Sequence, residues 1–389
     1  MLEDRRLDRI MGLLDSYQGE IPLQHFLRSY FRQHREMGAN DRRVTAHAIY
    51  NWFRLGKALP QLQKNTRLAI AAFLFDDFDA PFPDYLVNTF TGFKRASVNE
   101  TMENKLSAIK IEYPDFSLTD IFPFSEYVSK DLNIQQFIEG FLQQPYIWLR
   151  AIKTELLTDV LANNQIPFVI KGQAIGITKP TNLLNLSGLK QEWYEVQDLS
   201  SQLTSEFYQP ESGDAWYDCC AASGGKSLLL KSLMPDIALT VSDNRQRILE
   251  NLTERFRRNG IKHYIMVKAD LEKEFPPGLL PASFDGIIAD VPCTGSGTWS
   301  RSPEQISFFN TNTIRDFTKR QQNIIEHVVP LLKPGKPLIY ITCSVFKAEN
   351  EEMVQWIAES FNLIIEKSAL IRGTSDHADT VFAARLIKQ

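Results

Sequence analysis

Cysteine is scarce in this chain of 389 residues, which holds four, two of them adjacent at Cys219 and Cys220. Their spacing matches neither a disulfide framework nor a zinc site, and a reducing, cytoplasmic setting is expected. The six histidines show no metal-ligand spacing, so no metal cofactor is expected. No apolar run approaches membrane-spanning length, and the charged opening from Met1 to Arg9 has no apolar stretch. Neither membrane insertion nor a signal peptide is therefore expected. Charge of one sign is not in excess: 43 Lys and Arg stand against 47 Asp and Glu, a net charge of −4. A uniformly polycationic nucleic-acid binder is thereby excluded, though local basic patches are not. Repeats and low-complexity tracts are also missing.

What remains is an ordinary globular composition, 43% hydrophobic and 23% charged, in a chain long enough for two or three domains. Residues 1–125 read as helical, with apolar positions at helical spacing in Ile21 to Phe31 and Val44 to Leu55. Proline-bearing breaks follow at Pro81-Phe82-Pro83, Tyr113-Pro114 and Phe122-Pro123. Arginines crowd this region, among them Arg28, Arg32, Arg42, Arg43 and Arg54. On charge alone a solvated helix face is the simpler reading, so composition permits an RNA partner without demanding one. Residues 126–207 read as a small α/β layer, with strands at Tyr146 to Ala151, Ile166 to Ile170, Ala174 to Thr178 and Trp193 to Val196.

From 208 to 389 strand, loop and helix alternate. Strands are expected at Ala215 to Asp218, Ile237 to Ser242, Tyr264 to Lys268, Phe284 to Asp290 and Pro337 to Cys343, with helices at Arg245 to Arg258 and Thr313 to Leu332. Such alternation predicts a mostly parallel sheet covered on both faces. A last strand, Thr380 to Ile387, follows.

The first strand runs into Asp218-Cys219-Cys220-Ala221-Ala222-Ser223-Gly224-Gly225-Lys226. Small residues and two glycines let the backbone approach a ligand, and the following helix N-terminus favours an anion. A P-loop is excluded, because Cys220 stands where that motif needs its first glycine. Asp243 ends the second strand, 19 residues after Gly224. An acid there can grip ribose hydroxyls or simply cap a helix. Asp270 follows the third strand and can reach the same ligand.

Cys293, in Asp290-Val291-Pro292-Cys293-Thr294-Gly295, and Cys343, in Thr342-Cys343-Ser344, each follow a strand. If those strands are parallel neighbours, both thiols emerge at the ligand-binding edge of one sheet. A single free cysteine is most often a small buried hydrophobe. Two converging beside Asp290 point instead to covalent chemistry.

These motifs, with Glu349-Asn350-Glu351, Val196-Gln197-Asp198 and Phe382-Ala383-Ala384-Arg385-Leu386-Ile387, resemble those of the Fmu/Sun family of RNA cytosine-5 methyltransferases over roughly residues 145–389. Asn40-Asp41-Arg42-Arg43 to Arg54 is more distantly similar to the NusB-like helical domain that some members carry in front. The resemblance implies a Rossmann-like α/β sheet with an antiparallel final strand, a small α/β RNA-binding platform and a helical RNA-binding domain. It implies S-adenosylmethionine as methyl donor, held by Cys220, Ala221, Ala222, Ser223, Gly224, Gly225, Lys226, Asp243, Asp270 and Asp290. Cys343 becomes the nucleophile on cytosine carbon 6, Cys293 the helper of proton removal and release, and Asp290 the partner of the ring nitrogen. Lys226 orients donor or base, or is an ordinary helix-start lysine. Arg42, Arg43 and Arg301 are candidate RNA contacts.

Two residues depart from the family pattern. Ser223 replaces the usual proline of the glycine turn, expected to loosen it, and Val291 replaces an alanine, adding bulk beside the target base. The expected substrate is 16S ribosomal RNA, with transfer RNA as the alternative, and a monomer is expected. A DNA cytosine-5 enzyme would use the earlier Pro-Cys and have no need of Cys343. A non-catalytic RNA-binding assembly factor would need neither thiol, and a small-molecule methyltransferase would leave the front domain unexplained.

Overall fold

The computed structural model describes residues 2–76, 81–94 and 101–389. They form two compact units: residues 1–126, 133–144 and 299–309 make the first, and residues 127–132, 145–298 and 310–389 the second.

The first unit is helical, built on Leu2–Ser16, Leu23–Gln33, Ala39–Arg54, Lys64–Phe75, Pro81–Phe90 and Met102–Glu112. Pro81 and Pro83, read from sequence as a break, lie in the first turn of a helix, where a missing N–H costs nothing. Lys64–Phe75 is the central helix, buried from Arg67 through Phe75. Arg67 is tolerated there because its guanidinium donates to the Ala58 and Gly56 carbonyls at 3.1 and 2.7 Å. Residues 299–309 come from sequence beyond Cys293 yet fold with these helices. Within that segment the buried Glu304 accepts the Leu23 N–H at 3.1 Å, satisfying an orphan donor at the start of Leu23–Gln33.

The second unit contains two sheets. The smaller has strands β1 (Ile147–Ala151), β2 (Phe168–Lys171), β3 (Ala174–Ile177) and β4 (Tyr194–Val196), in the order β2-β3-β1-β4 and antiparallel throughout. The helix Thr154–Asn163 packs Leu157 and Leu161 on Leu149, Ile175 and Ile177. On the other face the Trp148 ring crosses β3, where a Cβ on Gly176 would meet it at 2.9 Å.

The larger sheet comprises β5 (Ala215–Asp218), β6 (Ala238–Asp243), β7 (Ile265–Lys268), β8 (Gly286–Asp290), β9 (Pro337–Thr342), β10 (Leu363–Arg372) and β11 (Thr380–Lys388). Its order is β10-β11-β9-β8-β5-β6-β7. The pairs from β9 through β7 are parallel, while β11 runs antiparallel between β9 and β10. Apolar clusters cover both faces, as doubly wound sheets require. Strand order reverses direction between β5 and β8, which places the ligand crevice beyond the carboxyl ends of those strands. Strand β10 was not anticipated from sequence. It is an edge strand with a bulge between Ile365 and Lys367, and only Leu363 and Leu370 are buried, so its alternation is broken.

Candidate active site

Asp290 pairs with Ile341 across the parallel β8–β9 register, so the loops after both strands leave the sheet side by side. Cys293 and Cys343 line one cleft of ≈ 440 Å³ together with Asp290. The same cleft is walled by Cys220 and Ala222 of the glycine turn and by Asp243 and Asp270. Ala221, Ser223, Gly224, Gly225 and Lys226 shape the turn without lining the cleft. Lys226 nevertheless reaches Asp290, its Nζ donating to Oδ2 at 2.7 Å.

The turn is held by backbone geometry that the sequence permits. Gly224 has φ +85°, and a Cβ there would meet the Phe256 ring at 2.6 Å. Ala222, also at positive φ, completes the bend. The helix Gly225–Leu233 starts directly behind. Asp218, at the end of β5, is fully buried and accepts from Ser227 Oγ at 2.6 Å, while its other oxygen has no hydrogen-bond partner among the described residues. Burial pushes its carboxyl up to about 7, with the Ser227 hydroxyl pulling the other way.

Ser223 does not leave the turn loose. Its hydroxyl accepts from Arg255 Nη1 at 3.1 Å, and Arg255 is ion-paired at 2.6 Å with the buried Glu195 of β4. Val291 is buried in the apolar core of the sheet and donates its N–H to the Ile341 carbonyl at 3.2 Å, while also contributing to the cleft wall.

Both thiols are held protonated at rest. Burial raises Cys293 well above the usual thiol range, with Cys343 and Glu349 adding to the rise; the backbone N–H groups of Gly295 and Cys343 oppose it. Burial and Asp290 push Cys343 up to about 12, and the Lys226 ammonium draws it down. Burial opposes the charge on Lys226, but Asp290 and Cys343 outweigh it and the net shift is upward.

The donor set fits S-adenosylmethionine. The helix start offers N–H groups to a carboxylate, Asp243 offers acceptors to ribose hydroxyls, and Gly224 leaves the backbone bare where a Cβ would collide. Asp243 is presently gripped by Arg245, whose exposed guanidinium donates to both carboxylate oxygens at 2.9 Å. Asp270 is ion-paired with Lys273 at 2.8 Å. Among the described residues no group of three His, Cys, Asp or Glu side chains could hold a metal ion, and no helix is long and apolar enough to cross a membrane.

Comparison with known proteins agrees with this arrangement. Residues 206–369 match the family model described as 16S rRNA methyltransferase RsmB/F. The sheet domain is thus similar to the RsmB/F family over these residues, which agrees with the resemblance of its motifs to the Fmu/Sun family. Among relatives, Ribosomal RNA small subunit methyltransferase B of Enterobacter sp. (strain 638) is 27% identical over 277 residues, 66% of this chain and 63% of the relative. The protein of the same name from Salmonella paratyphi B is 29% identical over 234 residues, 57% of this chain and 53% of its own length. The chain thus spans less than two thirds of the length of these curated relatives. The crystal structure of PH0851 superposes with TM-score 0.71 at 20% identity, covering 94% of both chains. NSun6 from Pyrococcus horikoshii with SFG superposes with TM-score 0.58 at 16% identity over 71% of this chain and 97% of that one. These likenesses establish a Rossmann-like fold.

Several residues of the sheet domain that shape the site were not read from sequence. Arg320 and Glu272 line the cleft and pair with each other at 2.6 Å. Arg255 falls inside the expected helix Arg245 to Arg258 and Glu349 inside the Glu349-Asn350-Glu351 motif, with nothing local to mark either as shaping the site. Of the candidate RNA contacts, Arg42 donates to the His34 carbonyl at 3.3 Å and Arg43 to Asn40 Oδ1 at 2.9 Å, both in the helical unit. Arg301 is exposed on the 299–309 segment of the same unit.

Proposed function

We propose that the protein is an S-adenosylmethionine-dependent RNA cytosine-5 methyltransferase acting on small-subunit ribosomal RNA. The observation that carries this reading is the convergence of two thiols, from adjacent parallel strands, on one cleft with the Asp290–Lys226 pair. Both rivals that lack a use for Cys343 leave that convergence without a purpose. The ribosomal substrate is supported by the match to the 16S rRNA methyltransferase RsmB/F family and by the names of the relatives.

In this reading the glycine turn, Cys220 to Lys226, with Asp243 and Asp270 holds the donor. When bound, S-adenosylmethionine supplies an electrophilic methyl group for carbon 5 of the cytosine. Cys343, as thiolate, adds its electron pair to carbon 6, and the displaced ring electrons make carbon 5 nucleophilic. Asp290, aligned by Lys226, hydrogen-bonds the ring nitrogen where charge gathers. Cys293, once it has lost its own thiol proton to solvent, accepts the carbon-5 proton; the carbon–hydrogen pair re-forms the double bond, and the carbon–sulfur pair returns to Cys343. The target cytosine must be unstacked to reach the cleft, so single-stranded RNA is the expected form. The β1–β4 layer serves as platform, and Arg42, Arg43 and Arg301 as backbone contacts.

The test is to trap the adduct. Cys293→Ala, mixed with S-adenosylmethionine and total cellular RNA, should give a denaturation-resistant protein–RNA band, since addition proceeds and release stalls. Cys343→Ala should give none. The reverse pattern would point to the DNA-type mechanism, and silence from both variants, repeated with immature ribosomal particles, would favour a binding factor.

A further inference from the structure

Glu349 does not line the cleft, yet it is fully buried at 0% exposure. An isolated carboxylate could not be held there. This one collects four donors. Thr294 gives its N–H to Oε1 at 2.9 Å and its hydroxyl to Oε2 at 2.6 Å. Gln321 Nε2 donates to Oε1 at 3.0 Å, and the Ser344 hydroxyl donates to Oε2. Thr294 directly follows Cys293, and Ser344 directly follows Cys343. One side chain therefore ties the residue after each thiol to the other and, through Gln321, to the helix Asn312–Val328. Gln321 also donates to the Pro292 carbonyl at 3.0 Å, which grips the Cys293 loop from its other side.

Both loops meet at this anchor, and each has further supports. The loops also meet directly, Gly297 of the Cys293 loop giving its N–H to the Cys343 carbonyl at 2.8 Å, and the Cys343 loop is further held by Asn350 Nδ2, which donates to the Ser344 carbonyl at 2.9 Å. Thr342 Oγ1 donates to Asn350 Oδ1 at 2.6 Å. Two of the four donors on Glu349 come from Thr294, directly beside Cys293; the same loop is also held by Gln321 at the Pro292 carbonyl and by Ser296 Oγ, which accepts the Val345 N–H at 2.9 Å.

We infer that Glu349 is a positioning residue that holds Cys293 at the distance from Cys343 needed for the release step. Its loss leaves addition by Cys343 largely intact and stalls proton removal by Cys293. This rests on the proposed cytosine-5 reaction and assigns a residue to its second half. A misplacement of about 1 Å costs on the order of 100-fold in a positioned step.

The experiment compares wild type, Cys293→Ala, Glu349→Ala, Glu349→Gln and Thr294→Val, each with S-adenosylmethionine and total RNA. It reads the ratio of covalent protein–RNA adduct to released 5-methylcytosine per folded enzyme. Glu349→Ala should raise that ratio about 10- to 100-fold, imitating Cys293→Ala, and Thr294→Val should raise it less. Glu349→Gln should stay near wild type, because its carbonyl still takes Thr294 N–H and Gln321 while both hydroxyls can turn to accept from the amide. A fall in adduct and product together for Glu349→Ala, the mark of plain destabilisation, overturns the inference. So does Glu349→Gln behaving like Glu349→Ala. Should Glu349→Ala not fold, Thr294→Val decides, and an unchanged ratio there counts against it. Absence of adduct with Cys293→Ala would sink the reaction itself, an outcome distinct from failure of the anchor alone.

Discussion

The Ser223 hydroxyl accepts a hydrogen bond from the Arg255 guanidinium at 3.1 Å, joining the glycine turn to a side chain that also pairs with Glu195 of the small sheet. A serine where the family pattern has proline thus exchanges a rigid ring for a tether. The tether spans two sheets, because Asn259 also donates to Glu195 at 2.5 Å.

Arg255 and Glu195 are both largely buried, their side chains 15% and 6% exposed. Removing one partner of such a pair leaves the other charge without compensation. Arg255→Met should therefore cost about 3 kcal/mol, and Ser223→Ala less than about 1 kcal/mol. Urea denaturation of each variant checks the order, and equal costs would count against the buried pair as the principal anchor.

The two glycines of the turn should answer differently to alanine. Gly224 needs a left-handed backbone, and its new Cβ would press on Phe256 at 2.6 Å, whereas a Cβ on Gly225 would meet only Arg255 and Gln197 side-chain ends at 3.6 Å or more. Gly224→Ala should cost at least about 1–2 kcal/mol and weaken binding of S-adenosylhomocysteine. Gly225→Ala should leave stability within about 0.5 kcal/mol. Denaturation and calorimetric titration measure both effects.

Asp218 gives a pH signature. Its carboxyl stands at about 7 in the folded protein against an ordinary 3.8. A raised acid contributes stability that is complete below the unfolded value and is lost as pH climbs through the folded one. Asp218→Asn keeps the neutral shape at every pH. The variant should therefore gain on wild type as pH rises from about 4 to about 8. Melting curves across that range test this, and a constant difference would show that Asp218 does not titrate there.

Much of the site was legible because its residues sit at strand ends. Strand alternation put Asp218, Asp243, Asp290 and Cys343 at the carboxyl edge of the sheet, and parallel pairing of β8 with β9 follows from the same pattern. What stayed hidden depends on long-range pairing. Glu349 and Thr294 lie 55 residues apart, and nothing local marks a carboxylate as a shared acceptor. Residues 299–309 read as part of the sheet domain because they fall between its strands in sequence, yet Glu304 and Ile306 are buried in the helical unit. Strand β10 was missed because its exposed, bulged face carries no clean alternation.

The placement of β11 bears on how the protein is made. Strand β10 has no neighbour except β11, and β9, which carries the chain into Cys343, has only β8 until β11 arrives. A nascent chain halted between Arg372 and Thr380 would expose one open edge on β9, rich in Leu338, Ile339 and Ile341, and leave β10 wholly unpaired. Such edges recruit other strands. Until β11 pairs, the sheet keeps this open edge, a template for association with other strands.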